Sequence, residues 1–145
     1  MSLFQPTRDE AREFLFTVRA KAVAGAPLTP LEATTARILD DHPEYHRHLD
    51  DPARWREHTW RPEDGETNPF LHLSLHLAIE EQLSIDHPKG IRQAVARLAS
   101  RMDSAHDARH AVMDLLVEAL WTAQRGGPPL SEAGYLEAIE RKAAG

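Results

Sequence analysis

Histidines four residues apart are the feature of this sequence with the clearest chemistry. Nine histidines occur in 145 residues. Six of them form three His-x-x-x-His pairs, which are His42/His46, His72/His76 and His106/His110. Side chains four apart on a helix project from the same face on successive turns, so two imidazoles placed in this way can reach one ion. The repeated spacing therefore indicates a metal site.

Two of the pairs continue apolar stripes on a helical wheel of about 100° per residue. One stripe contains His72, His76, Ile79 and Leu83, and the other contains His106, His110, Met113, Val117 and Trp121. An unpaired buried polar group costs about 1–3 kcal/mol, so inward-facing imidazoles need partners, and one shared ion would satisfy several of them.

The leading candidate ligands are His72, His76, His106 and His110. His46 follows them. His42 ranks lower because Pro43 disfavours a helical backbone at the preceding residue. The remaining histidines, which are His48, His58 and His87, are assigned to surface or loop positions.

Imidazole ligands without sulfur suit Zn, Fe, Mn, Co or Ni, and the chain contains no cysteine. No Glu-x-x-His motif is present, which favours one metal ion over a di-iron pair. Glu80 and Asp114 each lie four residues beyond a histidine of a pair, so they are candidate ligands, orienting acceptors or bases. The Glu80–Gln82 run is expected to form a solvated edge. Metal-dependent catalysis by hydrolysis or hydroxylation is one consequence of such a site, although the sequence names no substrate.

A second interpretation needs no metal. The histidines then hydrogen-bond to one another and to buried carboxylates, and the protein is a non-enzymatic protein-interaction module whose core is specific or pH-sensitive. Metal binding is the preferred interpretation, because helical carbonyls are already bonded and offer few partners to four imidazoles.

The elements that must position these residues are all predicted to be helices. Apolar spacing, caps and breakers place helices at about residues 8–24, 30–41, 69–85, 91–102 and 104–125, with a last helix after Ser131. The second helix either ends near Asp41 or kinks there before a further turn through residues 44–46, and Asp51-Pro52 is a signal for one short turn. A capping box at Thr7 and turn chemistry at 61–65 belong to this prediction. The fold class is therefore an all-α, up-and-down bundle of about five to six helices in a single domain, residues 1–145. One long loop covers about residues 50–67. If consecutive helices alternate in direction, the third and fifth helices bring their histidine pairs to the same end.

Composition excludes several classes of function. The net charge is −6, and no Lys/Arg cluster stands out, so nucleic acids and anionic membranes are not expected as partners. The N-terminus has no signal-peptide pattern and no apolar run is long enough for a membrane helix, so a cytoplasmic protein is expected. A bundle of this size can also form a homodimer, and no protein partner can be named.

Several stretches together resemble an uncharacterised, mainly proteobacterial family that is known only as a domain of unknown function. They are LTPLE (28–32), HPEYH (42–46), TNPFLHLSLHLAIEEQ (67–82), DHPKGI (86–91) and LWTAQR (120–125). The resemblance covers nearly the whole chain and implies no activity. More distantly, histidine pairs in a small bundle are similar to those of DinB-type and hemerythrin-like metal-binding proteins. This chain departs from both in the spacing and number of its pairs.

Overall fold

The computed structural model describes residues 8–61, 63, 65 and 67–145, and within them the protein is all-helical, without a strand. The α-helices are α1 (Arg8–Ala24), α2 (Pro30–Asp40), α3 (His46–Leu49), α4 (Pro52–Trp55), α5 (Pro69–Ile85), α6 (Ile91–Arg101), α7 (Ala105–Gln124) and α8 (Glu132–Ala144). None of the helices in the described part of the chain is both long and apolar enough to cross a membrane. The predicted all-α class is confirmed.

Local sequence signals determine where the long helices begin. Thr29 and Glu32 form the predicted capping box of α2, because the Thr29 hydroxyl accepts from the Glu32 amide and the Glu32 carboxylate accepts from the Thr29 amide. The Asn68 side chain accepts from the amides of Phe70 and Leu71 at 3.0 and 3.2 Å, which caps α5. Side chains also cap α7 and α8, at Ser104 and Ser131.

The predicted number of helices, five to six, is lower than the eight α-helices of the described residues. The difference comes from α3 and α4, which have four residues each and are too short to produce a periodic pattern. A 3-10 turn at Pro43–Tyr45 also precedes α3. The predicted Thr7 cap lies outside the described residues, as do positions 62 and 64 of the predicted turn at 61–65.

The chain divides into two compact units, and the division falls within α5, between Leu77 and Ala78. In the N-terminal unit α1 packs against α2 and α3. Its core contains Leu15, Phe16, Val18, Ala36, Ile38, Leu39, Leu49, Trp55, Phe70, Leu73 and Leu77. In the C-terminal unit α6 packs against α7 and α8. That the whole chain behaves as a single domain stays a prediction.

Asp86 joins the end of α5 to the start of α6. Its carboxylate accepts hydrogen bonds from the amides of Gly90 at 3.3 Å and Arg92 at 3.0 Å. These two bonds hold the pKa of Asp86 below its ordinary value, and the charges of Arg92 and Lys89 act in the same direction. A carboxyl whose pKa is lower in the folded than in the unfolded state stabilises the fold above its unfolded pKa, about 3.9. This contribution is lost as the pH falls through the folded value.

We therefore expect Asp86→Asn to lower the free energy of unfolding at neutral pH, with the difference from wild type shrinking as the pH falls below about 4. Asparagine is the matched replacement, because Asp86 has a left-handed backbone, φ 51°, which asparagine tolerates. Urea denaturation at neutral and acid pH measures the effect. Asp103→Asn, at an exposed position before α7, is the control and should change little. An Asp86→Asn deficit that stays constant with pH would contradict the prediction.

Candidate metal centre

Three histidines of the N-terminal unit, His42, His72 and His76, meet and are here called the three-histidine cluster. The ring centroid of His42 lies 5.0 Å from that of His72 and 4.6 Å from that of His76. The His72 and His76 centroids are 4.9 Å apart. Each ring offers one nitrogen, and these nitrogens lie within 4.8 Å of one another. The three histidines are therefore close enough to be candidates for holding a metal ion.

Hydrogen bonding fixes the tautomer of His42. Its Nδ1 lies 2.7 Å from the carbonyl oxygen of Ile38. A carbonyl can only accept, so Nδ1 carries the proton and donates it, and the neutral ring keeps a lone pair on Nε2. That Nε2 lies 3.2 Å from Nε2 of His72. The lone pair of His42 thus faces the second histidine of the cluster.

Helix α5 supplies the other two histidines. Because Asn68 fixes the first turn of α5, it also fixes the positions of His72 and His76 one and two turns later. His76 is 4% exposed, and His72 is half-buried. The predicted inward stripe of this helix is correct here, since Ile79 on the same stripe is fully buried.

The 3-10 turn supplies His42. The backbone of His42 is not helical, with φ −128° and ψ 62°, as expected before Pro43. The same departure from helical geometry returns the His42 ring to the last turn of α2, where it bonds to Ile38 and is 3% exposed. Pro43 therefore has the predicted effect on the backbone of His42, but the ring of His42, which was ranked below the other paired histidines, lies in the cluster.

Tyr45 packs on the cluster. Its ring is parallel to that of His42, with an interplanar angle of 2° and centroids 5.7 Å apart. Its centroid also lies 5.5 Å from that of His72. Burial raises the pKa of the Tyr45 phenol, and the charge of Glu44 acts in the same direction, so the phenol is neutral at physiological pH.

His46 has a different role in the structure. Its Nε2 lies 2.9 Å from the carbonyl oxygen of Leu39, so it donates to the last turn of α2 and is not part of the cluster. Its assignment as a ligand stays a prediction. His48 was expected on the surface or in a loop, but it is 6% exposed and its ring lies 4.5 Å from that of Trp55. The contact with Trp55 of α4 accounts for this difference, because the signal at Asp51-Pro52 indicated a short turn but not what its residues pack against.

The third pair, His106 and His110, lies at the start of α7 in the C-terminal unit. The two rings are 4.2 Å apart in an edge-to-face arrangement, as their spacing predicts. His106 is exposed and His110 is half-buried. The stripe that contains them is buried only in its middle, since Met113 is 4% exposed and Trp121 is 53% exposed. Both histidines remain predicted ligands on the grounds of their spacing.

The acidic run at Glu80–Gln82 is not the solvated edge that the sequence suggested. Glu81 is 8% exposed. Glu80 is half-buried and forms an ion pair with Arg109. Gln82 accepts a hydrogen bond from the Tyr135 hydroxyl at 2.8 Å. Glu80 and Gln82 therefore have partners on α7 and α8 of the C-terminal unit. Such partners are distant in sequence, so the residues around 80–82 carry no pattern that would predict this burial.

These features define a protein that is all-helical in its described residues and has three ring nitrogens within 4.8 Å of one another, a group that could hold a metal ion. The chain belongs to the family described as Domain of unknown function (DUF1841), whose model matches residues 7–141. Neither the curated proteins nor the solved structures contain a significant match. The resemblance to an uncharacterised family is therefore confirmed, and the family brings no activity with it.

Proposed function

We propose that the three-histidine cluster binds one divalent transition metal ion. The observation that supports this most directly is the hydrogen bond from Nδ1 of His42 to Ile38, which leaves Nε2 of His42 ready to act as a ligand. Histidine ligands of metals almost always donate their other nitrogen to a carbonyl, a carboxylate or water. His42 has this arrangement before any ion is considered.

The distances support the same proposal. Two nitrogens bound to a tetrahedral zinc ion at about 2.0–2.1 Å are about 3.3 Å apart. The observed separation between Nε2 of His42 and Nε2 of His72 is 3.2 Å. The remaining nitrogen, on His76, lies within 4.8 Å of both. Small rotations of the His76 side chain would complete a three-nitrogen set around one ion.

The donor set narrows the choice of metal. Neutral imidazoles suit Zn, Fe, Co and Ni, whereas Mn is held more often by carboxylates and water. Of the five metals that the sequence allows, Mn is thus the poorest fit to a cluster of three imidazoles. We propose Zn as the first candidate because it tolerates distorted tetrahedral sites.

The number of protein ligands decides what the metal can do. Three protein ligands and a water are typical of catalytic zinc, whereas four protein ligands are typical of structural zinc. His106 and His110 are the predicted source of further ligands. A fourth protein ligand favours a structural site. An open position would let the metal activate water, which is the route to hydrolytic chemistry.

A non-enzymatic interaction module remains the second candidate, and the contact between His42 and His72 also favours it. If Nε2 of His72 carries a proton, it can donate to Nε2 of His42 across the 3.2 Å that separates them. The cluster is then a buried hydrogen-bonded group that specifies the core.

A cytoplasmic location, the absence of nucleic-acid and membrane partners, and the formation of a homodimer are also proposals from the sequence.

Metal content is the test that separates the two candidates. Protein purified without a histidine tag should contain about one metal ion per chain by elemental analysis, or should take up one equivalent of Zn(II) or Co(II) after chelation. A protein that stays metal-free on titration with Zn, Fe, Co, Ni and Mn would overturn the metal proposal and leave the interaction module.

The variant His110→Ala then tests whether the third histidine pair contributes a ligand. Weaker binding supports His110 as a ligand, and unchanged binding removes it from the site.

A further inference from the structure

Tyr45 is a partly buried residue that packs both against the core of the N-terminal unit and on the three-histidine cluster. It follows His42 by three residues across the 3-10 turn, and its amide donates to the carbonyl oxygen of His42 at 3.0 Å. Residues three apart in a 3-10 turn eclipse one another, so the turn itself places the two rings face to face. The observed interplanar angle of 2° is the result.

The same ring meets a second member of the cluster from the side. The planes of Tyr45 and His72 are at 69°, with centroids 5.5 Å apart. Tyr45 thus presents its face to one imidazole and makes an edge contact with the other. The cluster is held on this side by one aromatic residue, and the edge of His42 is held by the Ile38 carbonyl.

We propose that Tyr45 is a positioning residue of the metal centre, whose ring orients the imidazoles of His42 and His72 for binding. This inference rests on the metal site proposed above. The Ile38 carbonyl fixes one edge of the His42 ring but leaves rotation about that hydrogen bond, and the parallel Tyr45 face removes it. A metal-bound imidazole also acquires positive charge, which the π face of an aromatic ring stabilises by the electrostatics that attract a cation.

The test compares Co(II) binding by wild type, Tyr45→Phe and Tyr45→Leu, followed by the visible absorption of the bound ion. Tyr45→Leu should bind about tenfold more weakly or worse, with shifted absorption bands, as is typical when an outer-shell partner of a ligand is lost. Tyr45→Phe keeps the ring and should restore wild-type affinity and spectrum. Tyr45→Met, whose unbranched side chain adapts more easily to the space that the ring leaves, replaces Tyr45→Leu if the latter does not fold by circular dichroism.

Phe16→Leu is the matched control, because it removes an aromatic ring from the core of the same unit. Phe16 packs edge-to-face on Phe70 at 5.2 Å. It should lower stability without changing the Co(II) spectrum. Wild-type affinity and spectrum in Tyr45→Leu would overturn the positioning role alone. A Tyr45→Phe variant as weak as Tyr45→Leu would also overturn it, since the ring would not be the active part. Absence of Co(II) binding by the wild-type protein would overturn the metal site and this inference together.

Discussion

The double substitution His42→Ala/His76→Ala should abolish the stabilisation that Zn(II) or Co(II) gives to the wild-type protein. A ligand that binds only the folded state stabilises it by about 2.7 kcal/mol when its free concentration is 100 times the Kd. Removing two of three clustered nitrogens leaves a single imidazole, which cannot hold the ion at such concentrations. Thermal unfolding during a metal titration measures the effect, with the midpoint rising in wild type and staying constant in the variant.

A matched pair of histidines controls for general effects of losing imidazoles. His58 and His87 are both exposed, and neither is a member of the cluster. The variant His58→Ala/His87→Ala should keep the full metal-dependent rise in midpoint. A cluster variant that retains stoichiometric metal binding would place the ion elsewhere in the chain.

The metal-free proteins separate the two candidate functions further. If the cluster is a hydrogen-bonded group, His42→Ala removes the acceptor that faces His72 and leaves the Ile38 carbonyl without its donor. Leaving buried polar groups unpaired costs about 1–3 kcal/mol, and this loss would be present without metal. If the cluster serves a metal, most of the difference between wild type and variant should depend on added metal.

The helix boundaries could be predicted because their signals are local. The first helix was expected at about residues 8–24, and α1 spans Arg8–Ala24. The Asn68-Pro69 signal correctly predicted where α5 starts. It therefore also predicted how far along the helix His72 and His76 lie. Caps, prolines and glycines act within a few residues of their position, so the local sequence is enough to predict where a helix begins and ends.

The composition of the site depends on contacts that are distant in sequence. His42 and His72 are 30 residues apart and meet through the 3-10 turn. The sequence indicated that Pro43 interrupts the helix there, but not where the interrupted chain directs the ring. His46 was preferred to His42 because Pro43 disfavours a helical backbone at His42, yet Nε2 of His46 is bonded to the carbonyl oxygen of Leu39. Spacing along one helix identifies residues that share a face, whereas the geometry of a short turn needs the packed structure.

Arg12 has a structural role that the sequence did not indicate. An arginine in an amphipathic helix is usually exposed, but Arg12 is 2% exposed. Its Nη1 donates to the carbonyl oxygens of three residues in and after α4, which are Trp55 at 3.3 Å, Arg56 at 3.0 Å and His58 at 2.7 Å. The centre of its guanidinium lies 5.3 Å from the centroid of Trp60 and 4.9 Å from that of Phe70. One side chain on α1 therefore holds the segment from Trp55 to Trp60.

We expect Arg12→Met to lower the free energy of unfolding of the N-terminal unit by about 3 kcal/mol or more. The substitution keeps an apolar stem but removes charged hydrogen bonds worth about 1.5–3 kcal/mol each, and it leaves partly buried carbonyls without this donor. Arg12→Lys should recover only part of the loss, because an ammonium group lacks the planar fork that lies over the Trp60 and Phe70 rings. Urea denaturation followed by tryptophan fluorescence provides the measurement.

The three tryptophans make this measurement specific to one unit. Trp55 and Trp60 belong to the N-terminal unit that Arg12 stabilises, and Trp121 belongs to the other. A Trp121→Phe background therefore restricts the signal to the relevant region. Arg54→Met is the matched control, since Arg54 is exposed and lies 4.7 Å from the Trp55 centroid. An exposed contact of this kind contributes about 0.5–1 kcal/mol, so Arg12→Met should exceed it several-fold. Equal losses in the two variants would show that Arg12 does not anchor the segment from Trp55 to Trp60.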